Sequence, residues 1–78
     1  MKFLETISAF GYDALIPISR IKFIYITLKQ SWEIRIYTEA RNGEAKNSEW
    51  IECFENNEEG MEKLNKRFNM IKKIIEAA

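Results

Sequence analysis

The chain has 78 residues, 12 basic and 12 acidic side chains, no histidine, one cysteine, three glycines and one proline. That length allows one domain, 1–78, with a marginal core. A lone Cys53 without histidine excludes an internal disulfide and the usual Cys/His zinc site, so neither a metal nor a cofactor is expected and self-association is the remaining means of adding buried surface.

Residues 3–9 alternate, Leu4, Thr6 and Ser8 against Phe3, Glu5 and Ile7, and read as a first strand. Gly11-Tyr12-Asp13 marks a turn. Residues 14–18 form a short second strand, which Pro17 confines to an edge or an end because proline has no N–H to donate.

Residues 21–29 are dense in β-branched and aromatic side chains and give the strongest strand signal. Alternation places Lys22, Ile24, Ile26 and Leu28 on one face and Ile21, Phe23, Tyr25 and Thr27 on the other. After a short loop at Gln30-Ser31, residues 32–39 alternate again, Trp32, Ile34, Ile36 and Thr38 against Glu33, Arg35, Tyr37 and Glu39. Asn42-Gly43 supplies a turn between this strand and the next. Residues 49–55 make a further strand with faces Glu49, Ile51, Cys53, Glu55 and Trp50, Glu52, Phe54. Both faces mix polar and apolar residues, so periodicity alone assigns neither to the interior.

From residue 57 to 77 the period becomes helical. Asn56 or Asn57 can cap, Glu58 and Glu59 occupy the first turn, and Lys72 and Lys73 lie near the last, all favourable to the helix dipole. Gly60 reads as a weak point in the first turn, worth about 1 kcal/mol against alanine. Met61, Leu64, Phe68, Ile71, Ile75 and Ala78, widened by Ile74, form one apolar stripe. Its spacing also suits a coiled coil, but it is too short for a sustained one, and packing on the chain's own sheet is the simpler use. The expected fold is α+β: a β meander over 1–55 forming one antiparallel sheet of four to five strands, with the C-terminal helix packed on one face.

Nothing here supplies a tuned acid or base, and the glycines at 11, 43 and 60 form no phosphate-binding loop. The expected function is therefore non-enzymatic. If Ile24, Ile26, Leu28, Ile34 and Ile36 face the helix, the opposite sheet face presents Phe23, Tyr25, Arg35 and Tyr37, with Trp32 or Trp50 at its border. Such a face is covered by a symmetric partner or by the N-terminal strand, or it is a binding platform; tyrosine and arginine are the residues enriched at interface hot spots. The leading expectation is an adaptor or regulatory domain that forms a homodimer through this face, with another protein as a possible partner. The alternative is a single-stranded nucleic-acid binder that stacks bases on those aromatics and contacts phosphates through Lys63, Lys66, Arg67 and Lys73. Pairs such as Glu59 with Lys63 favour an ordinary solvated helix face instead. Cys53, between Glu52 and Phe54, reads as a small half-buried residue with a suppressed thiolate.

No run approaches the ~20 apolar residues of a membrane span, and the acidic Glu5 comes too early for a signal peptide. A cytoplasmic location is expected, and a free thiol suits it. The order of meander and capped helix is similar in outline to many small bacterial and phage proteins, a likeness that carries over no functional residue. The zero net charge conceals segregation. Residues 1–38 carry a net +2, residues 39–62 a net −6 and residues 63–78 a net +4.

Overall fold

A computed structural model describes residues 2–7, 11, 13–40 and 47–78. The order is β1 (Phe3–Ile7), β2 (Asp13–Pro17), a single 3₁₀ turn (Ile18–Arg20), β3 (Ile21–Leu28), β4 (Trp32–Thr38), β5 (Ser48–Phe54) and α1 (Glu58–Glu76). The class is α+β with antiparallel strands, but the single sheet expected from the sequence is two: a ribbon β1-β2 and a three-stranded sheet β3-β4-β5. The break falls after Pro17. Its ring removes a ladder donor, and the chain turns through Ile18–Arg20 instead of continuing a strand. The corner is pinned at both sides: Ile18 donates its N–H to the Lys2 carbonyl at 3.0 Å, and the Arg20 guanidinium donates to the Glu39 carbonyl at 2.6 and 3.1 Å.

In the ribbon, Leu4 pairs with Ile16 and Thr6 with Ala14. Leu4, Thr6 and Ile16 are buried, while Phe3, Ile7 and Leu15 point outward and are exposed. Gly11 adopts φ +82°, a left-handed conformation that glycine tolerates without strain. The anticipated extension of β1 through residues 8–9 and the Asn42-Gly43 turn lie outside the described residues.

The three-stranded sheet pairs Ile24 with Ile36 and Ile26 with Ile34, and Trp32, Ile34 and Ile36 with Phe54, Glu52 and Trp50. A register shift between Ile21 and Phe23 takes Lys22 out of the simple alternation, and its ammonium reaches Glu39 at 3.0 Å. Helix α1 lies over β4 and β5 and touches β1, so its apolar stripe closes a core of Leu4, Ile16, Ile34, Ile36, Leu64 and Ile71. Phe68, Ile74 and Ile75 pack against that core from its margin. Met61 and Ala78, expected in the stripe, are exposed. Asn57 caps the helix, its side chain accepting from the Gly60 N–H at 2.7 Å.

Gly60 is not the weak point it resembles in the sequence. A Cβ there would stand 1.9 Å from the Glu55 carbonyl oxygen, so the residue is where the incoming strand and the helix backbone touch. Glycine is the one residue that permits this approach.

Candidate functional site

The alternation of β3, β4 and β5 leaves one sheet face away from the helix, and the cross-strand register brings Phe23 opposite Tyr37 and Tyr25 opposite Arg35. Tyr37 in turn faces Glu49, Arg35 faces Ile51 and Glu33 faces Cys53. All four sheet residues singled out in the sequence therefore share one surface. Phe23 and Tyr37 stack with centroids 4.8 Å apart and planes at 9°. Tyr25 tilts toward Phe23 at 5.7 Å. Such offset aromatic pairs contribute about 0.5–1.5 kcal/mol beyond their burial.

Charge on this face is compensated within it. The Arg35 guanidinium donates to Glu33 Oε1 at 2.7 and 3.0 Å and to Glu49 Oε1 at 3.5 Å. Thr27 donates to the same Glu33 oxygen at 3.2 Å, and the Tyr25 hydroxyl donates to Glu49. The Arg35 hydrogen bond holds the Glu33 carboxyl below the usual carboxylate range. The same bond makes Arg35 harder to deprotonate. Donation to Glu49, with some burial, raises the Tyr25 phenol above its ordinary value. Asn47 donates to the Tyr37 hydroxyl at 2.7 Å and orients that ring's edge. The result is an aromatic cluster running into a hydrogen-bonded row, Tyr25–Glu49–Arg35–Glu33–Thr27, that spans all three strands.

Three expectations at this surface are corrected. Trp32 and Trp50 do not border it; β4 and β5 turn both indoles toward the helix, where they pack on the core. Cys53 is exposed on the open face instead of half-buried, because β5 turns Trp50, Glu52 and Phe54 to the helix side and Cys53 to the side of its partner Glu33. Nor does the N-terminal strand cover the open face: β1 lies on the helix side, where Thr6 bonds Glu52.

The basic helix residues divide differently. Lys63, Lys66 and Lys73 are exposed, and Lys63 pairs with Glu59 at 3.3 Å as the spacing implied. Arg67 is no solvated cation. It turns inward, donating to both Glu52 carboxylate oxygens at 2.9 Å and to the Glu5 carbonyl at 2.7 Å. The bond to Glu52 raises its basicity further. Glu52 is buried and also accepts from the Thr6 hydroxyl. A cleft of about 290 Å³ beside the cluster is lined by Glu5, Thr6, Ile7, Glu52 and Arg67, but the polar groups at its wall already bond one another. Sequence reasoning missed this cluster; the only hint was an acid between Trp50 and Phe54 on one strand face.

Among the described residues no group of three His, Cys, Asp or Glu side chains is placed to hold a metal ion. No helix among them is long and apolar enough to cross a membrane. Comparison with protein-family models, with curated proteins and with solved structures finds no match to this chain.

Proposed function

We propose that the chain is a small non-enzymatic interaction domain, an adaptor or regulator in the cytoplasm, that self-associates through the open face of β3-β4-β5. The observation that carries this reading is the Phe23–Tyr37–Tyr25 cluster on a face that no described element of the chain covers. Aromatic rings supply apolar contact area at low entropic cost. Arg35 adds a planar guanidinium whose charge is already matched by Glu33 and Glu49. Covering the face with a second copy thus strands no unpaired charge, the usual penalty of burying ions at an interface.

The nucleic-acid alternative draws less support from the same geometry. The aromatics lie on the face opposite the helix, so a single strand stacked on them is separated from Lys63, Lys66 and Lys73 by the thickness of the sheet. Arg67, the guanidinium of that basic stripe, is committed to Glu52, and Arg35 beside the aromatics is committed to Glu33.

The test is the mass of Tyr37→Glu measured by light scattering after size exclusion. The substitution places a carboxylate opposite Glu49 and removes half of the aromatic stack. The expected result is half the wild-type mass with an unchanged far-ultraviolet circular dichroism spectrum. A wild-type monomer, or a Tyr37→Glu protein of unchanged mass, removes the reading.

A further inference from the structure

The outer edge of β3 carries a second, separate feature. Strand β3 ends the three-stranded sheet, and among the described residues no strand pairs with its outer side. Its exposure is unusual on both faces. Phe23 is 51% exposed on the open face, while Ile26 and Leu28 are 37% and 48% exposed on the helix side. The helix explains the latter pair: it lies over β4, β5 and β1 and leaves the far half of β3 uncovered.

Unpaired strand edges are templates for further pairing, and proteins blunt them with charge, proline or bulges. The other outer strands here are blunted. Strand β1 carries Glu5, β2 carries Asp13 and Pro17, and β5 carries Glu49 and Glu52. Strand β3 has Lys22 at the register shift near its start and Lys29 just past its end. The six residues between, Phe23-Ile24-Tyr25-Ile26-Thr27-Leu28, contain neither charge nor proline.

We infer that this edge pairs antiparallel with β3 of a second copy, joining two three-stranded sheets into one of six strands. The charge pattern selects that occupant. An antiparallel pairing centred on Ile26 sets Ile24 opposite Leu28 of the copy and Tyr25 opposite Thr27 of the copy. The exposed helix-side residues then cover one another. Lys29 comes beside the ring of Phe23 on the copy, a favourable cation–π placement, and no lysine meets a lysine. A parallel pairing would oppose Lys22 and Lys29 each to its own copy, which like charges disfavour.

This interface does not depend on the open face, and the two are compatible. Edge pairing has its two-fold axis perpendicular to the sheet, and face stacking has one in the plane between sheets, so the two axes are perpendicular, and where they intersect four chains close with dihedral symmetry. The test is Ile26→Lys combined with Leu28→Lys in the full chain. Both positions are exposed on the helix side, so the Phe23–Tyr37 surface is untouched. The expected result is half the wild-type mass by light scattering, with the helical circular dichroism signal retained.

An unchanged mass overturns edge pairing whatever Tyr37→Glu does, and an unchanged mass for Tyr37→Glu overturns only the face. Hydrogen exchange on the wild type gives a second readout that needs no variant. Protection of alternate amides in 23–28 is expected to fall on dilution at least tenfold below the association midpoint. Protection that does not change with concentration overturns the pairing.

Discussion

At the scale of single residues, steric and electrostatic environment overrides propensity. Helix propensity credits Gly60→Ala with a gain of about 1 kcal/mol. The structure reverses the sign, because the new methyl would meet the Glu55 carbonyl oxygen at 1.9 Å, and this is backbone that no rotamer can clear. Overpacking of this kind costs typically about 1–3 kcal/mol. Gly60→Ala is therefore expected to lower the thermal midpoint by about 4 °C or more, since about 1 kcal/mol shifts a domain of this size by roughly 4–8 °C. A melting curve shifted upward would show that the strand–helix junction relaxes freely. Glu52 illustrates the same limit of local reading. Nothing in Trp50-Ile51-Glu52-Cys53-Phe54 marks one strand face as interior, since each offers a large apolar side chain and a polar one. What decides it is Arg67, fifteen residues away, whose guanidinium makes burial of the carboxylate tolerable. By contrast Phe23, Tyr25, Arg35 and Tyr37 were legible in advance, because from Phe23 onward β3 alternates against β4, with Ile24 and Ile26 opposite Ile36 and Ile34; only Ile21, expected on the Phe23 face, is carried to the core side by the register shift.

At the scale of elements, periodicity located every strand and the helix, and it misjudged depth. The heptad-like spacing treats Met61, Leu64, Phe68 and Ile71 as equals. Only Leu64 and Ile71 lie fully inside, because α1 crosses β4 and β5 along one line and side chains on either side of that line are left at the margin. Depth has an energetic consequence that inverts the order expected from size. Ile71→Ala removes a fully buried side chain and leaves a cavity, at a cost of about 2–5 kcal/mol. Phe68→Ala removes a larger ring that is only partly buried, and half of the usual transfer value gives roughly 0.8–1.5 kcal/mol. Chemical denaturation of the two variants checks this: Ile71→Ala is expected to have the lower urea midpoint. The opposite order would place Phe68, not Ile71, at the centre of the helix–sheet contact.

At the scale of the whole molecule, the division into ribbon and three-stranded sheet was invisible to a reading strand by strand, because a sheet break is a matter of which edges meet. Pro17 announced the end of β2, yet the same signal serves an edge strand in a continuous sheet. With two sheets, something other than a ladder must hold β1-β2 to the body. Part of that attachment is apolar, through Leu4 and Ile16. The buried polar part is one cluster, where Thr6 and the Glu5 carbonyl of β1 meet Glu52 of β5 and Arg67 of α1, while at the surface the Lys2 ammonium donates to the Ala77 carbonyl at 3.1 Å. Removing the hydroxyl with Thr6→Val keeps the side-chain volume and the β-branched shape, so packing is little disturbed. It leaves a buried carboxylate short of one donor, a loss of about 1–3 kcal/mol. That loss falls on the buried polar connection between ribbon and body, and it bears on local opening of the ribbon as well as on global unfolding. Amide exchange in β1 and β2 is therefore expected to accelerate about fivefold to a hundredfold in Thr6→Val, each factor of ten corresponding to about 1.4 kcal/mol. Amides at the centre of β4, held between two neighbours, are expected to exchange only through global unfolding and to show a smaller change. Equal acceleration everywhere would mean that ribbon and body open together, with the Glu52–Arg67 cluster acting as an ordinary part of one cooperative core.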